Sequence, residues 1–142
     1  MNWLFFKKNK DNDNHYLGLF LKEQRGSIFL MKKKDNEIFV IDQINFNYTN
    51  GWENLINDID ENLYQLEEKH KVTLSKTIFF LYSHFIDDVT KNIKEPYLKK
   101  IKNIAKNLEL EALGYIECYE AVSLYLEKKR TKFIISNNFR IR

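Results

Sequence analysis

From His15 to Tyr48 apolar residues come in short runs broken by polar ones, and the pattern predicts three strands. They are Tyr16–Leu21, Ser27–Lys32 and a partly alternating stretch over Glu37–Tyr48 in which Phe39, Ile41, Phe46 and Tyr48 stand apart. Lys22 to Gly26 and Asp35-Asn36 supply the turns of a meander. At Asn50 the period lengthens: Asn50 is placed to cap a helix, Glu53 stands three residues on in capping-box position, and Trp52, Leu55, Ile56, Ile59, Leu63 and Leu66 recur at helical spacing. The helix is predicted to end near Lys69. Thr77–Tyr82 is apolar on both faces, as a central strand covered on both sides would be. Pro96 suits the first turn of a second helix with a stripe of Leu98, Ile101, Ile104, Ala105 and Leu108. A short strand over Glu111–Ile116 follows, then a third helix over Glu117–Lys129 with Tyr119, Val122, Tyr125 and Leu126 near one face. Phe133–Ile135 is one more strand-like run.

The order βββαβαβα predicts an α/β domain with a mixed sheet, strand order 3-2-1-4-5. Right-handed crossovers place the first two helices on one face and the third on the other, so that helices cover both faces. This is the ribonuclease-H-like arrangement, which also forms the core of each half of the actin-like ATPases. Residues 1–14 read as a flexible leader, 15–130 as the single domain, and 131–142 as a basic tail or a truncated strand. In the leader, Trp3, Phe5 and Phe6 beside Lys7 and Lys8 offer a weak membrane-surface or partner anchor, but the apolar run is too short for a signal peptide or a span.

The 142 residues are 44% apolar and 15% aromatic, enough for one core and against disorder. A net charge of +3 falls short of the dense basic character of a domain devoted to gripping nucleic acid. One cysteine, Cys118, excludes an internal disulfide and a cysteine-rich metal site, and fits a cytoplasmic setting. Charge is segregated: six acids and no base lie between Gly51 and Glu68, six lysines against two acids between Asp88 and Leu108. Neighbouring helices on one face would then be complementary. The competing reading is a nucleic-acid patch of Lys91, Lys94, Lys99, Lys100 and Lys102 joined to the tail's Lys128, Lys129, Arg130, Lys132, Arg140 and Arg142.

The segments "YLGLFL", "TIFFLYS" and "LELEALGYIECYEAVSLYL", in that order and with Glu117, Glu120 and Ala121 in the last, resemble the first subdomain of bacterial actin-like ATPases of the pilus-assembly and cell-division type. The likeness spans residues 15 to 129. It implies a first hairpin in which an acidic residue, a glycine and small hydroxyls hold metal and phosphate. Here Phe20 and Leu21 stand where the acid is expected, and Lys22 to Gly26 offer one glycine, the nearby Ser27 hydroxyl and two cations. Lys22 and Arg25 are candidate anion contacts, with solvated turn charges as the plainer reading.

Ribonuclease-H-like metal chemistry needs several converging carboxylates, beginning with one on the first strand, which has none. Asp42, Asp87 and Asp88 remain as candidates, with helix capping the plainer role for the last two. His15, His70 and His84 lack ligand spacing, Ser83-His84 is mere adjacency, and Cys118 is either a helix-start thiol or a small core residue. No catalytic, cofactor or metal site is assigned. The expected function is a non-enzymatic scaffold or partner-binding module that contacts a protein partner, or itself, through an exposed strand edge and Phe133, Ile134 and Ile135. The alternative is a nucleic-acid-binding or nuclease-like member of the same fold.

Overall fold

A computed structural model describes residues 14–48, 51–118 and the short strand at 132–134. The first three strands form as a meander because each turn is two residues long, and the second carries chemistry suited to it. Strand β1 (His15–Lys22) turns through Glu23-Gln24 into β2 (Arg25–Lys34), and β2 turns through Asp35-Asn36 into β3 (Glu37–Asn47). Asp35 and Asn36 both take positive φ, 55° and 67°, as a tight hairpin of the favoured hand requires. Helix α1 (Trp52–His70), strand β4 (Lys76–Tyr82), a 3-10 turn at Ser83–Phe85, helix α2 (Glu95–Asn107), strand β5 (Glu111–Cys118) and strand β6 (Lys132–Ile134) follow.

The sheet order is β5-β4-β1-β2-β3-β6, with β1, β4 and β5 mutually parallel and the hairpins antiparallel. The predicted 3-2-1-4-5 order is therefore observed, extended by β6 on β3. Leu17, Leu19 and Leu21 of β1, Ile28 and Leu30 of β2, and Phe79 and Leu81 of β4 face Leu55, Ile59, Leu63 and Leu66 of α1 and Ile101 and Ile104 of α2. Both described helices thus lie on one face. The other face has its own buried set, including Tyr16, Phe20, Phe29, Met31, Ile78 and Phe80. Phe29 meets Phe80 edge-on at 5.9 Å, and Gly18 leaves the space: a Cβ there would lie 3.0 Å from the Phe29 ring and 3.1 Å from that of Phe80.

Three expectations are corrected in detail. Asn50 lies outside the described residues, and α1 is capped at Gly51 with no side-chain bond, so Glu53 falls one position short of the capping-box site. Glu117 and Cys118 belong to β5 rather than to the start of a helix; the remainder of the expected third helix lies outside the described residues. In β3 the buried residues are Ile38 and Val40, not Phe39 and Ile41, and a bulge just beyond them turns the later residues to the other face. Leu30 pairs with Asp42 and Met31 with Val40, leaving Ile41 as the extra residue, 45% exposed. Beyond the bulge, Ile44 and Phe46 pack against the helix-side core.

Candidate functional site

Open α/β sheets bind ligands outside the carboxyl ends of their parallel strands. Here β1 and β4 run side by side and finish together, with Leu21 in register with Leu81. The chain that leaves them, Glu23-Gln24 after β1 and Ser83–Phe85 after β4, meets the end of β3 and the start of both helices. Between these pieces lies a pocket of about 330 Å³.

Its walls are aromatic. Tyr48 follows β3, Trp52 opens α1, Phe85 follows β4, and Tyr97 sits in the first turn of α2. Trp52 is central: its ring lies 6.1 Å from Tyr48, 5.9 Å from Phe85 and 6.3 Å from Tyr97. Phe85 and Tyr97 stack at 4.3 Å, 13° from parallel. Phe85 is fully buried and anchors the group to the core, while Trp52 and Tyr97 are half-exposed at the opening. Lys100, one turn along α2 from Tyr97, carries its ammonium over the Trp52 ring at 5.1 Å. On the other rim, Glu23 Oε1 is 3.4 Å from His84 Nε2. Tyr48 closes the floor by donating its hydroxyl to the Lys22 carbonyl, and its backbone N–H donates to the Gln24 carbonyl at 3.0 Å. Burial first, then Glu23 and Tyr97, push the Tyr48 phenol up to about 12, against the lowering effect of a Gln24 backbone hydrogen bond.

These aromatics are scattered in sequence at 48, 52, 85 and 97, and no local pattern groups them. The signal was available. Each stands at the end of a strand or the start of a helix, and in a βββαβα order those four ends fall on the same side of the sheet.

The first hairpin is built into this structure. Lys22 and Arg25 pair directly across the turn, and Lys22 Nζ lies 5.3 Å from the centre of the Tyr82 ring. Gly26 is a strand residue opposite Leu21 and Phe46. A Cβ at Gly26 would come within 2.7 Å of Phe46 Cζ and 3.2 Å of the Phe20 carbonyl oxygen. That glycine makes room for an aromatic ring. The Ser27 hydroxyl donates to Asn45 Oδ1 at 2.5 Å.

The acids are spread. Asp42 lies on β3 near the far end of α1, where it accepts from Lys69 at 3.0 Å and meets His70 at 2.7 Å. Burial would raise its pKa, but His70, Lys69 and the Gln43 N–H outweigh it and hold the carboxyl down to about 2. Asp87 caps a turn rather than a helix: its carboxylate accepts the Val89 and Thr90 N–H groups, each at 2.9 Å, which lowers its pKa. Asp88 is exposed. Among the described residues no group of three or more His, Cys, Asp or Glu is placed to hold a metal ion.

His15 stands at the start of β1 with Nδ1 buried and without a partner among the described residues; burial, then Lys32 and His70, lower its pKa. Cys118 is buried at the end of β5, and burial pushes its thiol up to about 12, opposite to a helix-activated thiolate. Of the tail, Lys132, Phe133 and Ile134 form β6 and pair with Phe39, Ile38 and Glu37. Lys128, Lys129, Arg130, Ile135, Arg140 and Arg142 lie outside the described residues, as does the leader up to residue 13. No described helix is long and apolar enough to cross a membrane.

No protein-family model matches the chain, and no curated protein matches it in sequence. Solved structures are similar to it in fold. A ROK family transcriptional regulator, a homologue of the E. coli MLC protein, superposes with a TM-score of 0.50 at 13% identity over 82% of this chain and 31% of its own. The Aquifex aeolicus member of the Ppx/GppA family gives 0.46 at 9% identity, over 72% of this chain and 35% of its own. Thermus thermophilus RuvC gives 0.43 at 5% identity, over 72% of this chain and 63% of its own. This chain spans about a third of the length of the first two. With the observed strand order, the likeness to the ROK family structure shows a ribonuclease-H-like fold.

Proposed function

We propose that the chain is a non-enzymatic scaffold or partner-binding module built on half of an actin-like fold. One observation carries this reading: the carboxyl ends of β1 and β4 are occupied by interlocked aromatic rings, an arrangement suited to recognition by contact. The hairpin supports it, since Gly26 seats Phe46 and the Lys22 carbonyl is bonded by Tyr48. The contact elements in this reading are the outer edges of the described sheet at β5 and β6, the latter including Phe133 and Ile134. A cytoplasmic place is proposed from the single cysteine, and a link to pilus assembly or cell division from the resemblance of residues 15 to 129. Sedimentation over a concentration series, with affinity capture from host extract, tests the reading. Concentration-dependent assembly or a saturable partner is expected; a strict monomer with an empty capture would overturn it.

A second reading rests on the exposed lysines Lys99, Lys100 and Lys102 of α2 together with Lys91. It proposes nucleic-acid binding along that helix and the basic tail, and it requires affinity for DNA or RNA that falls steeply with salt. Absence of binding at low salt would remove it.

A further inference from the structure

The pocket at the strand ends has a composition that selects a ligand. Its volume of about 330 Å³ is at the small end of ligand sites, the size of a single ring with a short substituent. Trp52 and Tyr97 are half-exposed at its mouth, so a flat ring can reach aromatic surface on two sides. Its charged groups are not equivalent. Glu23 faces His84 at 3.4 Å. Lys100 faces a ring, and no carboxylate among the described residues pairs with it. An exposed ammonium poised over an aromatic face at the mouth can swing to an incoming anion. One cation and one carboxylate in the lining suit a ligand of a single negative charge and disfavour a dianion such as a phosphate monoester.

We propose that this pocket binds an aromatic monocarboxylate, its ring against Trp52 and Tyr97 and its carboxylate on Lys100. The shared chemistry has two sources, a free aromatic acid or the carboxyl-terminal aromatic residue of a peptide. The inference adds a site to the partner-binding reading without depending on it, because a free acid can occupy the pocket in a monomer.

Trp52 reports occupancy directly. With Trp3→Phe as the background, titrations of intrinsic fluorescence with N-acetylphenylalanine, N-acetylphenylalanine amide, phenyl phosphate and a hexapeptide ending in a free phenylalanine carboxylate separate the outcomes. Saturable change with the free carboxylates is expected, at least tenfold weaker with the amide and with phenyl phosphate. Saturation by the peptide at much lower concentration than by N-acetylphenylalanine assigns the site to a peptide terminus; equal affinities assign it to the free acid. Lys100→Gln is expected to weaken the carboxylates about tenfold while leaving the melting temperature in place, and Lys100→Arg to retain most of the affinity. Equal binding of acid and amide, an undiminished Lys100→Gln variant, or no saturable change with any probe would overturn the proposal. Assembly or partner capture would be untouched by that failure, so the two readings fail separately.

Discussion

At position 26 a methyl group would have to share space with an aromatic ring, since Phe46 Cζ lies 2.7 Å from where the Cβ would stand. Gly26→Ala is expected to cost about 1 to 3 kcal/mol through displacement of Phe46, measured by chemical denaturation. Unchanged stability would mean that the ring is free to move. Cys118 makes the opposite kind of statement, a nucleophile disabled by its surroundings. Its thiol titrates near 12 rather than 9.0 because the folded chain buries it. Alkylation by iodoacetamide at pH 8 is therefore expected to be slow in the native protein and complete in denaturant, and rapid native labelling would contradict the burial. The raised value also has a stability consequence. The native state holds the thiol proton more tightly than the unfolded chain, so this contribution is complete below about pH 9 and is lost as pH rises toward 12.

Between elements, Asp42 ties β3 to the last turn of α1 through Lys69 and His70. Its depressed pKa means that the contact contributes fully above pH 3.8 and is lost as pH falls toward 2. Asp42→Asn is expected to lower stability by about 1 kcal/mol near neutral pH and to make the acid limb of the stability curve shallower. An unchanged acid limb would show that the tie carries no weight. The elements themselves were largely legible in the sequence because their signals are local. Asp35-Asn36 marks a tight turn, Thr77–Tyr82 a strand buried on both faces, and Pro96 the opening of α2. Asn50 and Glu53 misled because a capping box is only a spacing, whereas the observed start follows from the turn at Gly51. The change of face along β3 is not legible either, since the bulge at Ile41 depends on pairing with β2, which a single strand's pattern does not carry.

Across the whole molecule the site was far less legible than the fold. Tyr48, Trp52, Phe85 and Tyr97 are separated by up to 49 positions (97 minus 48) and meet only because the crossover through α1 and β4 returns the chain to one end of the sheet. Segregated charge predicts attraction between the helices, and at the mouth of the pocket Lys100 lies over Trp52, the first residue of the acidic helix. What binds at the carboxyl ends of β1 and β4 decides the function of the molecule. A thermal-shift series with ATP and Mg²⁺, ADP, short DNA and RNA, and N-acetylphenylalanine addresses this directly, because a ligand that binds only the folded chain must raise its melting temperature. The expected result is a rise with the aromatic carboxylate and none with the nucleotides or nucleic acids. A clear rise with ATP and Mg²⁺, and none with the aromatic acid, would contradict the account and restore a phosphate site to the strand ends.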